Sequence, residues 1–579
     1  MSNPPASKKK NFFNTTTLFP FFDEHFYLIL LSIPVGLCVG LVTILFNRTL
    51  LLLSSTLNQF QDYYYYIFFP AIGAFLSVFI LSVFFREGSG HSVPIVIYSV
   101  FRKGGLLRFR SSISHLLSCI ATIASGGSAG PEGPVVVSGA SFGSNIACFF
   151  KLKERHRIIL LGGGIASAIS AIFNAPITGL IFALEVVLGD WITINIVPIA
   201  IASITANQIS HIFNGNQIQF DHMTFSIDTW DVLACVFLAI LCSISAIIFS
   251  VSIRKIENIC SNIPNAFFKA ILGGLGVGLI GMQYPEIFGE GYDLINKLIE
   301  NSSYSTLDYL VMLLAAKILV TALTLGTGSS GGVFAPSLVV GCIVGHGFSH
   351  ILHILFPGNI WASGGCFALI GMAGTISGVL LAPLTGVFLI VEITGEYEVM
   401  VPLILVSILS SLIARFYLKA SIYHHELIKH NQILRPGTDQ RILADTLVRD
   451  ILYHPPITIS PHMTLRTIIE LIKKNNLTVY PVIEQDSKIF IGFIHVEKVF
   501  NLIQQTELYD VILAEEIVSG TNDQFSPNDL LIDIVQYFEH EFVDIVPITE
   551  NNIYIGVIRK NDIFSQYRKE LILQTSNRY

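Results

Sequence analysis

Apolar residues run through this chain in long blocks, and short stretches rich in glycine, proline and serine separate them, rather than charged loops. Phe26–Leu45 and Val232–Ser252 are two such blocks. Each reaches the roughly 20 residues that an α-helix needs to cross a bilayer. Up to about residue 430 the pattern therefore predicts membrane-crossing helices with irregular breaks between them. Further on, short β-rich runs alternate with amphipathic helices and charge becomes frequent, which predicts a soluble α/β tail.

Composition sharpens this picture. Of 579 residues, 52% are hydrophobic and only 13% charged, with a mean hydropathy of +0.64. A soluble domain carries about a quarter charged residues, so a soluble protein of this size is excluded. Because charge is segregated, the net value of −7 says little about partners. The eight cysteines stand singly in apolar segments with no CxxC pair and read as small buried hydrophobes. Lys8, Lys9 and Lys10 mark residues 1–25 as a cytoplasmic tail. Basic connectors at "RKGGLLRFR" (102–110), "KLKERHR" (151–157) and "RKIEN" (254–258) are also expected on the cytoplasmic side.

An internal repeat organises the membrane part. "GIASAISAIFNAPITGLIFALEVV" (164–187) aligns with "GMAGTISGVLLAPLTGVFLIVEIT" (371–394) at an offset of 207. Gly164, Ile169, Ser170, Ala175, Pro176, Thr178, Gly179 and Glu185 meet identical residues there. Upstream, "GPVVVSGASFG" and "APSLVVGCIVG" align at an offset of 202 through Pro134, Gly139 and Gly143. Two halves follow, 26–214 and 230–430 with the last helix, joined by a linker at 215–229. Duplicated membrane halves typify transport proteins, whose substrate sites lie between repeats on broken helices.

Three breaks occur: "REGSGHSVP" (86–94), "GGSAGPEGP" (126–134) and "GTGSSGGVFAP" (326–336). Each joins glycines to a proline and then an apolar run. Glycine lets backbone N–H groups approach a ligand, and each following helix begins with unpaired N–H groups and a partial positive charge. Several such starts aimed at one point make an anion site without a fixed cation. "GTGSSGG" lacks the lysine of a phosphate loop, which argues against nucleotide hydrolysis. No catalytic or metal-binding set stands out. Between Ser111 and Phe150 the one formally charged side chain is Glu132, inside the second break. An isolated charge at bilayer depth costs about 2.5–3.5 kcal/mol on insertion scales. A helix start returns only about 0.3–1 kcal/mol, so stability alone does not explain Glu132. Its carboxylate carries the charge of a small anion and can compete for the same cradle.

The three breaks, the glutamate in the second and the tyrosine in "SIYHHEL" resemble the CLC chloride channels and chloride/proton exchangers. The family's motifs stand here as "GSGHSVP", "GPEGP" and "GGVFAP". The resemblance implies an all-α multi-pass membrane protein of two inverted-topology repeats with broken helices, working as a homodimer in the cell membrane with both termini cytoplasmic. It implies chloride as the transported ligand, no resident cofactor, no nucleic-acid partner and no enzymatic activity. It maps Glu132 onto the gating glutamate, with Gly133, the amides of Val333 and Phe334 and the hydroxyl of Tyr423 on the anion path. The family's serine aligns with His91, and Ser92 follows; a shifted register lets Ser92 supply the hydroxyl, or His91 supplies an N–H.

Proton-coupled members resemble "FNAP…EE". Here Glu185 takes the first acid and Val186 the relay position, and valine cannot carry a proton. That favours a passive channel over an exchanger, which stays the alternative. After a linker at 431–445, residues 446–579 contain a second repeat, in 464–500 and 529–564, that resembles a CBS domain pair. Such pairs often bind adenine nucleotides. Asp562 in "GVIRKND" fits that role, but Arg559 replaces the hydroxyl residue, so a structural or dimerising tail is expected. A membrane-bound nucleotide sensor with a vestigial pore is a remote alternative.

Overall fold

The computed structural model describes residues 24–60, 63–88, 92–189, 193–215, 228–300, 306–358 and 361–429 of the membrane part. In the tail it describes residues 448–455, 457–475, 477–520, 524–541, 543–550, 553–566 and 568. His91, nearly all of the N-terminal tail and most of both linkers lie outside the described residues. The chain divides into two compact units, Met1–Ile433 and Leu434–Tyr579.

Among the described residues of the first unit, nine helices are long and apolar enough to cross a membrane, from Phe26–Asn58 to Met400–Lys429. Five shorter apolar helices, including Ser92–Arg102, Ser111–Ala124 and Pro383–Thr394, accompany them. Helices that start partway through the protein leave backbone groups that only buried partners or a polar path can satisfy.

The repeat is visible as packing. Helix Glu132–Phe149 lies against Glu154–Phe173, and Phe334–Leu355 lies against Gly364–Leu380. In the first pair a side chain on Gly139 would collide with the carbonyl of Gly164, and the reverse also holds. The second pair meets the same way through Gly341 and Gly371. Asn174 and Leu381 end the inner helices of the two pairs with the same left-handed backbone, φ 56° and ψ 37°. For leucine that geometry costs roughly 1–2 kcal/mol, and the fold imposes it because both copies must turn sharply into a proline-initiated helix. From Pro176 the first copy continues through a π-turn at Ala183–Leu188 to Gly189, whereas the second runs as regular helix from Pro383 to Thr394 and Gly395. The π-turn absorbs the one extra residue of the first copy.

The halves also exchange carboxylates. Glu185 Oε2 accepts the amide and the hydroxyl of Thr385, both at 2.7 Å, and Oε1 accepts the Leu384 amide at 3.2 Å. Glu392 reciprocates: Oε2 accepts the Thr178 amide at 2.7 Å and hydroxyl at 2.6 Å, and Oε1 accepts the Ile177 amide at 2.9 Å. Each glutamate thus caps the helix that begins in the other repeat, satisfying amides that a helix start leaves unpaired.

Among its described residues the tail unit contains two antiparallel hairpins, β1 (Val479–Ile483) with β2 (Phe490–His495), and β3 (Ile545–Glu550) with β4 (Ile553–Arg559). In the first, Pro481 faces Phe493 and Val482 faces Gly492; in the second, Pro547 faces Val557 and Ile548 faces Gly556. Both slip register one residue later. The same irregularity thus stands at matching positions of the two hairpins.

Candidate functional site

Two of the glycine breaks meet. Gly130 donates its N–H to the Gly332 carbonyl at 2.9 Å, and Gly332 returns the bond to Gly130 at 2.7 Å. These residues are 202 apart, the repeat offset, so equivalent points of the two halves pair with each other. The pairing brings two helix starts together: Glu132 opens one helix, with Pro131 as its cap, and Phe334 opens the other, with Val333 as its cap.

Glu132 lies across this junction. Its side chain is buried, 1% exposed, and Oε1 accepts the Phe334 amide at 2.6 Å. The amides of Ala335 and of Glu132 itself also face the carboxylate. Oε2 is buried with no hydrogen-bond partner among the described residues. The carboxylate therefore occupies a nest of backbone N–H groups while half its acceptor capacity stays unused. A side chain at Gly130 or at Gly332 would run into it, which is why the space exists. Gly133 keeps the contact close, since a Cβ there would sit 3.3 Å from the Gly332 Cα. The Phe334 ring is fixed by stacking on Phe173 at 5.4 Å and by an edge contact with Phe182 at 5.9 Å.

Tyr423, near the start of helix Ile422–Lys429, is buried at 2% exposure. Its hydroxyl has no hydrogen-bond partner among the described residues, and the Glu132 charge acts on it. A buried donor without a partner is costly unless a ligand or water meets it. Val186 is buried in the π-turn. Ser92 opens helix Ser92–Arg102, buried, with Oγ 3.3 Å from His115 Nδ1. Asp562 lies in the tail, where both its oxygens accept Arg559 at 2.8 Å. The Arg559 guanidinium also stacks 3.8 Å above the Tyr453 ring.

Sequence reasoning passed over Lys317. This lysine is wholly buried in helix Leu307–Gly326, and its ammonium donates to the carbonyls of Ile287 at 2.9 Å and Gly289 at 3.2 Å. Glu290 is the carboxylate whose charge acts on it. The same helix holds the second break, because Thr321 shares a 2.9 Å hydroxyl contact with Ser128 and Thr324 Oγ1 accepts the Ser128 amide. The signal was legible as the one basic residue in a largely apolar helix. Among the described residues no three His, Cys, Asp or Glu side chains group as a metal site.

Comparison with known proteins places the chain and its fold. A family model described as voltage gated chloride channel matches residues 73–415, and a CBS domain model matches 448–505. "Chloride channel protein CLC-f" of Arabidopsis thaliana is 33% identical over 301 residues, 49% of this chain but only 38% of that protein. "H(+)/Cl(-) exchange transporter ClcA" of Vibrio cholerae is 27% identical over 430 residues, covering 70% of this chain and 91% of the relative. Among solved structures, a slow cyanobacterial Cl-/H+ antiporter superposes with a TM-score of 0.65 at 21% identity, over 71% of this chain and 98% of that one. A eukaryotic CLC transporter gives 0.63 at 18% identity over 93% and 99%. At these identities the structures speak for the fold.

Proposed function

The chain belongs to the voltage gated chloride channel family, and from that premise we propose that it conducts chloride passively through a path gated by Glu132. The observation that carries this reading is the 2.6 Å bond from Phe334 N to Glu132 Oε1 in a nest built by both repeats. A carboxylate and a chloride ion present the same unit of negative charge to the same amides, so one excludes the other. Protonation of Glu132, or its displacement, opens the seat. Tyr423 supplies a hydroxyl further along, and Val333, Phe334 and Gly133 supply backbone. Ser92, or His91 before it, supplies a side-chain donor at the first break.

Val186 supports the channel over the exchanger: its apolar, buried side chain occupies the position where a proton relay needs an acid. The second reading, chloride/proton exchange, is favoured by the names of several relatives and structural neighbours, which are exchangers. Simultaneous chloride and proton flux from purified protein in liposomes separates the two. Passive conduction moves no protons against a chloride gradient, and stoichiometric proton movement overturns it.

We read the protein as a homodimer with one path per subunit and both termini cytoplasmic, the latter from the basic connectors at 102–110, 151–157 and 254–258. The tail serves this assembly structurally. A nucleotide at Asp562 would first have to displace Arg559.

A further inference from the structure

Partly buried Glu87 and the buried Ser92 and His115 form a chain that the gate does not use. The Glu87 carboxylate accepts the hydroxyls of Ser111, at 2.6 Å, and of Ser114, at the start of helix Ser111–Ala124. Arg110 Nε lies 3.4 Å from Glu87 Oε1, and His115 Nε2 lies 3.8 Å from Oε2. The other nitrogen of the same buried imidazole, Nδ1, is 3.3 Å from Ser92 Oγ. Ser92 opens a helix that packs on the Glu132 helix, on the Tyr423 helix and on the π-turn carrying Val186.

We propose that the Ser92 hydroxyl is an anion-binding donor whose direction is set by protonation of His115 against Glu87. This rests on reading the first break as part of the chloride path.

The Glu87 charge favours the proton of a neutral imidazole on Nε2, the nitrogen 3.8 Å from its carboxylate. Nδ1 is then bare, and Ser92 must donate its single O–H to it. An approaching anion meets only oxygen lone pairs. A second proton lands on Nδ1 and reverses the bond: His115 donates, Ser92 Oγ accepts, and the freed O–H turns to the anion. Proton uptake therefore adds one donor and one positive charge beside a helix start. By linkage, bound chloride in turn favours protonated His115.

Burial of the imidazole opposes its charged form, and the Glu87 charge, with Arg110 behind it, favours that form. The neighbouring helices turn hydroxyls toward this one, Ser77 to Ser118 and Ser141 to Ser112. Glu132 acts one turn further on, at Cys119.

The test uses full-length protein in liposomes and reads the half-saturating chloride concentration, not the maximal flux that the Glu132 gate controls. In a Glu132→Gln background, acidification runs from about pH 8 to about pH 4, past the ordinary histidine range, because burial opposes the imidazolium. It should lower the half-saturating concentration by roughly ten-fold, the scale of one hydrogen bond to a charged group. Ser92→Ala should hold it at the alkaline value at every pH, Ser92→Thr should restore the response, and His115→Gln should abolish it. A response that survives Ser92→Ala, or that is absent with Ser92 intact, overturns the proposal. The Ser92 pair decides if His115→Gln does not fold. Loss of saturable chloride flux in the parent protein would instead sink the chloride-path reading itself.

Discussion

Phe334 donates its backbone N–H to Glu132 Oε1 at 2.6 Å, and the two residues are 202 positions apart, the offset that relates the two halves of the membrane part. Equivalent positions thus hold a carboxylate in one half and a phenyl ring in the other. The carboxylate crosses to the partner half's helix start, while the ring packs on Phe173 and Phe182. An approximate two-fold framework holds this carboxylate asymmetrically.

Removing that carboxylate vacates the nest without disturbing the glycines that build it. Glu132→Ala should fold, and its chloride flux at saturating chloride should lose its dependence on acidity. Maximal flux in liposomes across a pH series checks this. A maximal flux that keeps the parent's pH dependence would exclude Glu132 as the gate.

Lys317 clamps the Ile287–Gly289 carbonyls to helix Leu307–Gly326. Lys317→Met retains bulk but leaves both carbonyls without their donor, at about 1–3 kcal/mol for a buried unpaired group. Thermal unfolding in detergent should show a clear loss. An unchanged midpoint would mean that those carbonyls find other donors.

Glu185 and Glu392 exchange caps with matching geometry, so their removal should cost the same. Glu185→Ala and Glu392→Ala each leave two amides and a hydroxyl unpaired, and each should destabilise by about 1–2 kcal/mol. Unfolding midpoints measured side by side check the symmetry, and a large inequality would show that one cap alone matters.

In the tail, Arg559 occupies Asp562 and covers Tyr453. Hydrogen bonding to Asp562 holds the Arg559 guanidinium above its ordinary pKa, so no accessible alkalinity frees the pair by neutralising the arginine. The parent protein should show no thermal shift with ATP, whereas Arg559→Thr, which frees the carboxylate and adds a hydroxyl, should gain one. A shift in the parent of equal size would show that the pair yields to nucleotide.

The sequence by itself determined the membrane class, the two halves, the tail repeat and the breaks. Those depend on local quantities: the length of an apolar run, glycine before proline, and identities at a fixed offset. It also singled out Glu132, because a lone carboxylate in an apolar stretch is expensive wherever it lies. What it could not determine was where that carboxylate goes. The pairing of Gly130 with Gly332, the seat on Phe334, the exchanged caps of Glu185 and Glu392, and the carbonyls around Lys317 all join residues far apart in the chain. Hydrogen bonds of that kind leave no periodicity behind, and a residue type announces the cost of burial without naming its partner. Only the packed structure, by bringing two helix starts within one hydrogen bond of each other, decided it.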